Sequence, residues 1–145
     1  MRSFVVTSLL FGLIAVTGAA SAQAADRVSV PVSGLRNDEG VVRCGLYAGP
    51  EAFPKAGQES RGVIAKIKGG QATCVFNGLK PGTYAVAAFH AANGETEMQY
   101  GMFGKPKEGY GFSRNPPSRM GAPAFASAAF DYAGGAQAVP IRLTY

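Results

Sequence analysis

One histidine, two cysteines and a run of cations set among aromatics are the residues of this chain with chemistry to offer. His90 is the single imidazole in 145 residues. A catalytic histidine exchanges a proton with a partner held within hydrogen-bond reach. No Gly-x-Ser-x-Gly elbow and no His-Glu-x-x-His helix accompanies it. An enzyme would have to pair His90 with Glu108 or with a serine of the segment that follows. The plainer role is a strand-end histidine whose ring bonds to that segment and anchors it. We assign no catalytic residue from sequence and expect a protein that is not an enzyme.

Softer chemistry is also present. Met98, Met102 and Met120 follow His90, and thioether with imidazole suits Cu(I). No Met-x-x-Met run supports that use, and methionine also fills irregular gaps under loops. Lys105, Lys107, Arg114 and Arg119 interleave with Tyr100, Phe103, Tyr110 and Phe112. Cations beside aromatic faces can hold a glycan, a peptide or an anionic lipid head. The competing use of those rings is burial, because a long loop must bury something to stay ordered. His90, Asn93, Tyr100, Lys105, Glu108, Tyr110, Phe112 and Arg114 are the candidate contact surface. Its partner would be an envelope component or a small ligand.

Export is written at the start of the chain. Arg2 precedes an apolar stretch, and Ala20-Ser21-Ala22 and Ala22-Gln23-Ala24 both fit a small-x-small cleavage rule. Residues 1–24 are read as a signal peptide that is removed, leaving residues 25–145 as one domain with no transmembrane segment. The protein would then be periplasmic or secreted. The whole chain carries 14 cations and 9 anions. Without Arg2 the charge is +4, scattered rather than blocked, which does not suit a nucleic-acid binder. Cys44 and Cys74 share strand parity with inward apolar neighbours, so an oxidising compartment would join them as a disulfide. Two thiols and one distant histidine lack zinc-ligand spacing, and no cofactor motif is present.

The elements that must position these residues are strands. Val28, Val30 and Val32 alternate with polar residues, and residues 41–48 form a second β-rich run. Residues 62–68 and 71–76 flank Gly69-Gly70, a hairpin signal. Pro81-Gly82 turns into a strand with Tyr84, Val86, Ala88 and His90 on one face and Ala85, Ala87 and Phe89 on the other. Residues 137–145 alternate again, and Pro140 marks an edge or a strand start. Six short strands predict an all-β antiparallel sandwich of immunoglobulin-like or prealbumin-like type. Residues 91–135 form a long insertion, whose seven aromatics predict an ordered cap over one end. Residues 124–132 are its helical candidate, at about two turns.

Gly104-Lys105-Pro106-Lys107-Glu108-Gly109-Tyr110-Gly111-Phe112-Ser113 is the most distinctive block. With Pro81-Gly82-Thr83-Tyr84-Ala85, Gly121-Ala122-Pro123-Ala124-Phe125 and Ala128-Ala129-Phe130, it resembles a bacterial exported family known as domain of unknown function 2141. The resemblance covers nearly all of the mature chain. It implies a prealbumin-like sandwich and supplies no activity. Family members tend to carry an Asp- and Asn-rich loop after the histidine that looks like a calcium cradle. Here Ala91 stands at the leading Asp position and Gln99 at the late one; Asn93 remains, Glu95 brings a carboxylate where an Asn would sit, and Glu97 is the other acid. Two carboxylates are too few for tight calcium, so we assign no metal and keep these three as the only candidates, the alternative function being a degenerate metal-binding module.

Overall fold

The computed structural model describes residues 25–118 and 121–145. The signal-peptide reading of residues 1–24, and Arg119 and Met120, lie outside the described residues. Among the described residues nine strands run in chain order. They are β1 (Arg27–Ser33), β2 (Val41–Tyr47), β3 (Arg61–Lys66), β4 (Ala72–Asn77), β5 (Gly82–Ala91), β6 (Tyr110–Phe112), β7 (Phe130–Tyr132), β8 (Ala136–Ala138) and β9 (Ile141–Arg142). One sheet is ordered β4-β1-β8, with β9 also on β1; the other is β3-β2-β5-β6, with β7 also on β5. Their inner faces meet in a two-layer sandwich.

The core follows from period-two alternation. Val28, Val30 and Val32 of β1, and Ala72, Cys74 and Phe76 of β4, face Val42, Cys44 and Leu46 of β2 and Val86 and Ala88 of β5. The Cys44–Cys74 disulfide crosses this core and ties one sheet to the other, with Cα atoms 6.5 Å apart. Gly69-Gly70 does make a tight turn, with Lys68 and Gln71 exchanging backbone bonds. Beyond it the two strands separate, β3 into one sheet and β4 into the other.

A second cluster covers the outer face of the β5 sheet. Phe53 sits at its centre, with ring contacts of 5.3 Å to Tyr47, 5.8 Å to Phe112 and 5.8 Å to Phe125. Burial, then the nearby charge of Glu59 and Tyr100, pushes the Tyr47 hydroxyl up to about 12. It stays a neutral donor, to the Lys55 carbonyl at 3.2 Å.

Three expectations need correcting. The last strand does not run unbroken or antiparallel: β8 and β9 lie parallel to β1 and are split at Val139-Pro140. The cause is visible in the partner strand, because Pro31 sits in the middle of β1 opposite that break. Neither proline has an N–H to give to the ladder. The helical candidate at 124–132 is one turn only, α1 (Phe125–Ala128), after which the chain enters β7. Residues 91–135 also do more than cover an end: β6 pairs with residues 87–89 of β5, and β7 pairs with residues 82–84. No helix among the described residues is long and apolar enough to cross a membrane.

Candidate functional site

His90 is the penultimate residue of β5, on the inner face, and is 2% exposed. Its Nε2 lies 2.7 Å from the Glu39 carbonyl and its Nδ1 lies 2.8 Å from the Tyr145 hydroxyl. A carbonyl only accepts, so Nε2 carries the proton of the neutral ring and Nδ1 accepts from the tyrosine. The same hydroxyl accepts the Arg36 backbone N–H at 3.0 Å. The imidazole is therefore closed at both nitrogens, by the β1–β2 loop and the chain's last residue. The expected bond from its ring to the 91–135 segment is not made by either nitrogen. The segment instead meets His90 through backbone, as the His90 N–H donates to the Gly109 carbonyl at 2.8 Å.

The Tyr145 ring explains one glycine of the distinctive block. A Cβ on Gly109 would run into that ring, and one on Gly111 would lie 2.7 Å from the Arg142 carbonyl and from Ile141. These two glycines permit close approach of neighbours rather than unusual dihedrals. Gly104 does use its freedom, at φ 68°. Removing only the tyrosine hydroxyl should be felt. Tyr145→Phe strands the His90 Nδ1 and is expected to lower stability by about 1–2 kcal/mol in urea unfolding; an unchanged midpoint would mean that water replaces the bond.

Around this buried link lies a cleft of about 390 Å³, lined by Arg36, Asn93, Glu95, Lys107 and Glu108 among others. The Arg36 guanidinium rests 4.1 Å over the Tyr145 ring. The carboxylates are committed to the loop itself. Glu108 accepts the Gln99 backbone N–H at 2.9 Å. Glu95 accepts the Asn93 backbone N–H at 2.9 Å and its side-chain amide at 3.1 Å. Its own backbone N–H and then that of Asn93 hold the Glu95 carboxyl below the ordinary glutamate range. A depressed folded value means that this order is present above the unfolded pKa and is lost as pH falls through the folded one. A 13C titration should place the Glu95 midpoint below that of a model glutamate, and a midpoint at or above it would contradict these bonds. Among the described residues no group of three or more His, Cys, Asp or Glu stands together to hold a metal.

The expected contact surface divides into four parts. His90, Asn93 and Glu108 belong to the cleft. Tyr110 and Phe112 pack into the second aromatic cluster. Arg114 lines a different groove of about 440 Å³ with Asp131, Gln137 and Pro140. Tyr100 and Lys105 stand on a projecting turn, and so do Met102 and Phe103. Met102 is thus solvent-facing rather than a gap filler. Arg36, Lys107 and Tyr145 complete the cleft and were not foreseen together. Lys107 lies in the cationic run of the sequence, whereas nothing in the sequence ties Arg36 or Tyr145 to it.

The polar groups of the 440 Å³ groove are largely committed to the protein itself. Its Gln137 amide donates to the Asp131 carbonyl, the Asp131 carboxylate accepts the Thr83 hydroxyl, and Arg114 donates to the Ala129 carbonyl at 3.3 Å. Asn115 donates to the Pro140 carbonyl at 3.3 Å and accepts the Arg142 N–H at 2.8 Å. These groups stitch the sheets, whereas among the described residues the side-chain nitrogens of Arg36 and Lys107 donate to no protein acceptor.

A family model described as an uncharacterized protein conserved in bacteria, domain of unknown function 2141, matches residues 30–140. No curated protein and no solved structure matches the chain.

Proposed function

The chain belongs to the bacterial family called domain of unknown function 2141, and on that premise we propose that it is an exported, non-enzymatic binding module of the cell envelope. Its contact region is the end of the sandwich where the chain leaves His90, comprising the cleft and the projecting turn. One observation carries the reading: the lone imidazole, which is the one side chain suited to neutral-pH proton transfer, is sealed at both nitrogens by protein groups. What the cleft offers a ligand is positive charge from Arg36 and Lys107, with the nearby carboxylates occupied by backbone N–H groups. That favours a small anionic or polar group, such as the end of an envelope polymer.

A disulfide across the core suits an oxidising compartment, periplasmic or extracellular. The metal-binding alternative is weakened by Glu95, both of whose carboxylate oxygens accept from Asn93.

Native mass spectrometry of protein taken from its own envelope tests the proposal. Wild type should carry a bound species that Arg36→Glu with Lys107→Glu loses, while unfolding stays within about 1 kcal/mol, as surface changes do. A species retained by that variant, or bound calcium in wild type, would contradict it. So would any turnover that His90→Gln abolishes.

A further inference from the structure

Residues 99–107 form a finger that presents apolar side chains to water. Lys107 N–H donates to the Gln99 carbonyl at 2.9 Å and Gly101 N–H to the Lys105 carbonyl at 2.8 Å, closing the two arms. Glu108 clamps the base through the Gln99 N–H. At the tip Tyr100 is 62% exposed, Met102 81% and Phe103 100%. Phe103 adopts φ 64°, a left-handed conformation that a bulky residue rarely takes. The finger therefore holds its ring outward at a cost in backbone strain. Lys105 and Lys107 flank the apolar tip and are exposed.

We propose that this finger inserts Met102 and Phe103 into the headgroup region of an anionic lipid bilayer, with Lys105 and Lys107 against the lipid charge. The inference rests on the binding-module reading and names one partner of that region. Three observations favour a bilayer over a protein. The apolar surface is convex and made of three side chains, far below the roughly 1,200–2,000 Å² of a stable protein interface. A fluid surface needs no complementary pocket. The ring-plus-lysine arrangement matches interfacial anchors, in which aromatics sit at headgroup depth and lysines extend to anionic lipid, and the net charge of +4 left without Arg2 is complementary to that surface.

The chain contains no tryptophan, so Phe103→Trp places a single indole at the tip. With the disulfide-intact protein and vesicles of phosphatidylglycerol and phosphatidylcholine, its emission should shift to the blue and be quenched by lipids brominated near the headgroup. An Ile64→Trp reporter on β3 should show neither change. In sedimentation, Met102→Ser with Phe103→Ser should lower partitioning at least about tenfold, as should Lys105→Glu, and pure phosphatidylcholine should bind weakly. Binding without quenching at position 103, equal quenching at position 64, or no binding to anionic vesicles would each overturn the proposal. If vesicles fail while the native mass spectrum still shows the Arg36- and Lys107-dependent species, the lipid partner is wrong and the binding-module reading stands. Capture of an envelope protein that is lost in Phe103→Ser, with vesicles unbound, would assign the finger to a protein instead.

Discussion

Ser113→Ala is expected to lower the free energy of unfolding by about 2–4 kcal/mol, a large effect for the loss of one oxygen. The reason lies in how β5 is partnered. β6 covers residues 87–89 and β7 covers residues 82–84, which leaves a gap in the ladder between them. Ser113 fills it. It is fully buried, its Oγ accepts the Val86 N–H at 2.9 Å, and it donates to the Ala128 carbonyl at 2.5 Å. Alanine leaves both buried backbone groups without a partner, and each such orphan costs about 1–3 kcal/mol. The urea midpoint should fall with an unchanged slope, the mark of lost stability rather than a changed unfolded state. Ser113→Cys, with a weaker donor and acceptor of similar size, should fall between. A loss under about 1 kcal/mol for alanine would show that water enters the gap.

The other large effect is expected from the disulfide. Cys44 and Cys74 are 30 residues apart in sequence, and their bridge joins β2 of one sheet to β4 of the other. On the chain-entropy account, opening a loop of that length removes about 3–4 kcal/mol. Cys44→Ala with Cys74→Ala should therefore lower the melting temperature markedly. Reductant should move the wild type toward the variant and leave the variant itself unmoved. Two melting curves that coincide would show that the sheets hold together without the bridge.

The same turn that carries Ser113 also holds the other sheet. Arg114 and Asn115 take φ values of 65° and 47°, and the Asn115 amide bonds the Pro140 carbonyl in the break and the Arg142 N–H of β9 beyond it. Asparagine tolerates that conformation better than most residues. One short turn thus fills the gap beside β5 and fastens itself to β9 of the other layer. This accounts for the end of the Gly-Tyr-Gly-Phe-Ser block in terms of folding, the serine hydroxyl being held between two backbone groups.

Strand alternation made the sandwich legible, because β1, β2 and β4 bury every second residue, and the parity of Cys44 and Cys74 pointed inward on that basis. The parallel pairing of β8 and β9 was not legible, since period-two patterning says which face is buried and nothing of which neighbour lies alongside. Pro31 was the available clue: a proline in a central strand needs a break opposite it. The cleft was half legible. His90, Asn93 and Glu108 came from one loop, but Arg36 and Tyr145 arrive from opposite ends of the chain, and only the fold brings them together. Tyr100 and Lys105 of the finger were legible as contact residues, whereas the exposure of Phe103 was not, because aromatic content alone argues for burial. The pair of left-handed residues at Phe103 and Gly104, which turns the ring outward, has no sequence signature at a phenylalanine.

Hydrogen–deuterium exchange of the protein alone and mixed with its own isolated envelope bears most directly on where it makes contact. Slowed exchange should be confined to the loop carrying Arg36, residues 92–108 and the end at Tyr145, with β3 and the groove at Arg114 and Pro140 unchanged. Slowing centred on that groove or on β3, or none anywhere, would contradict the assignment of the His90 end as the binding surface.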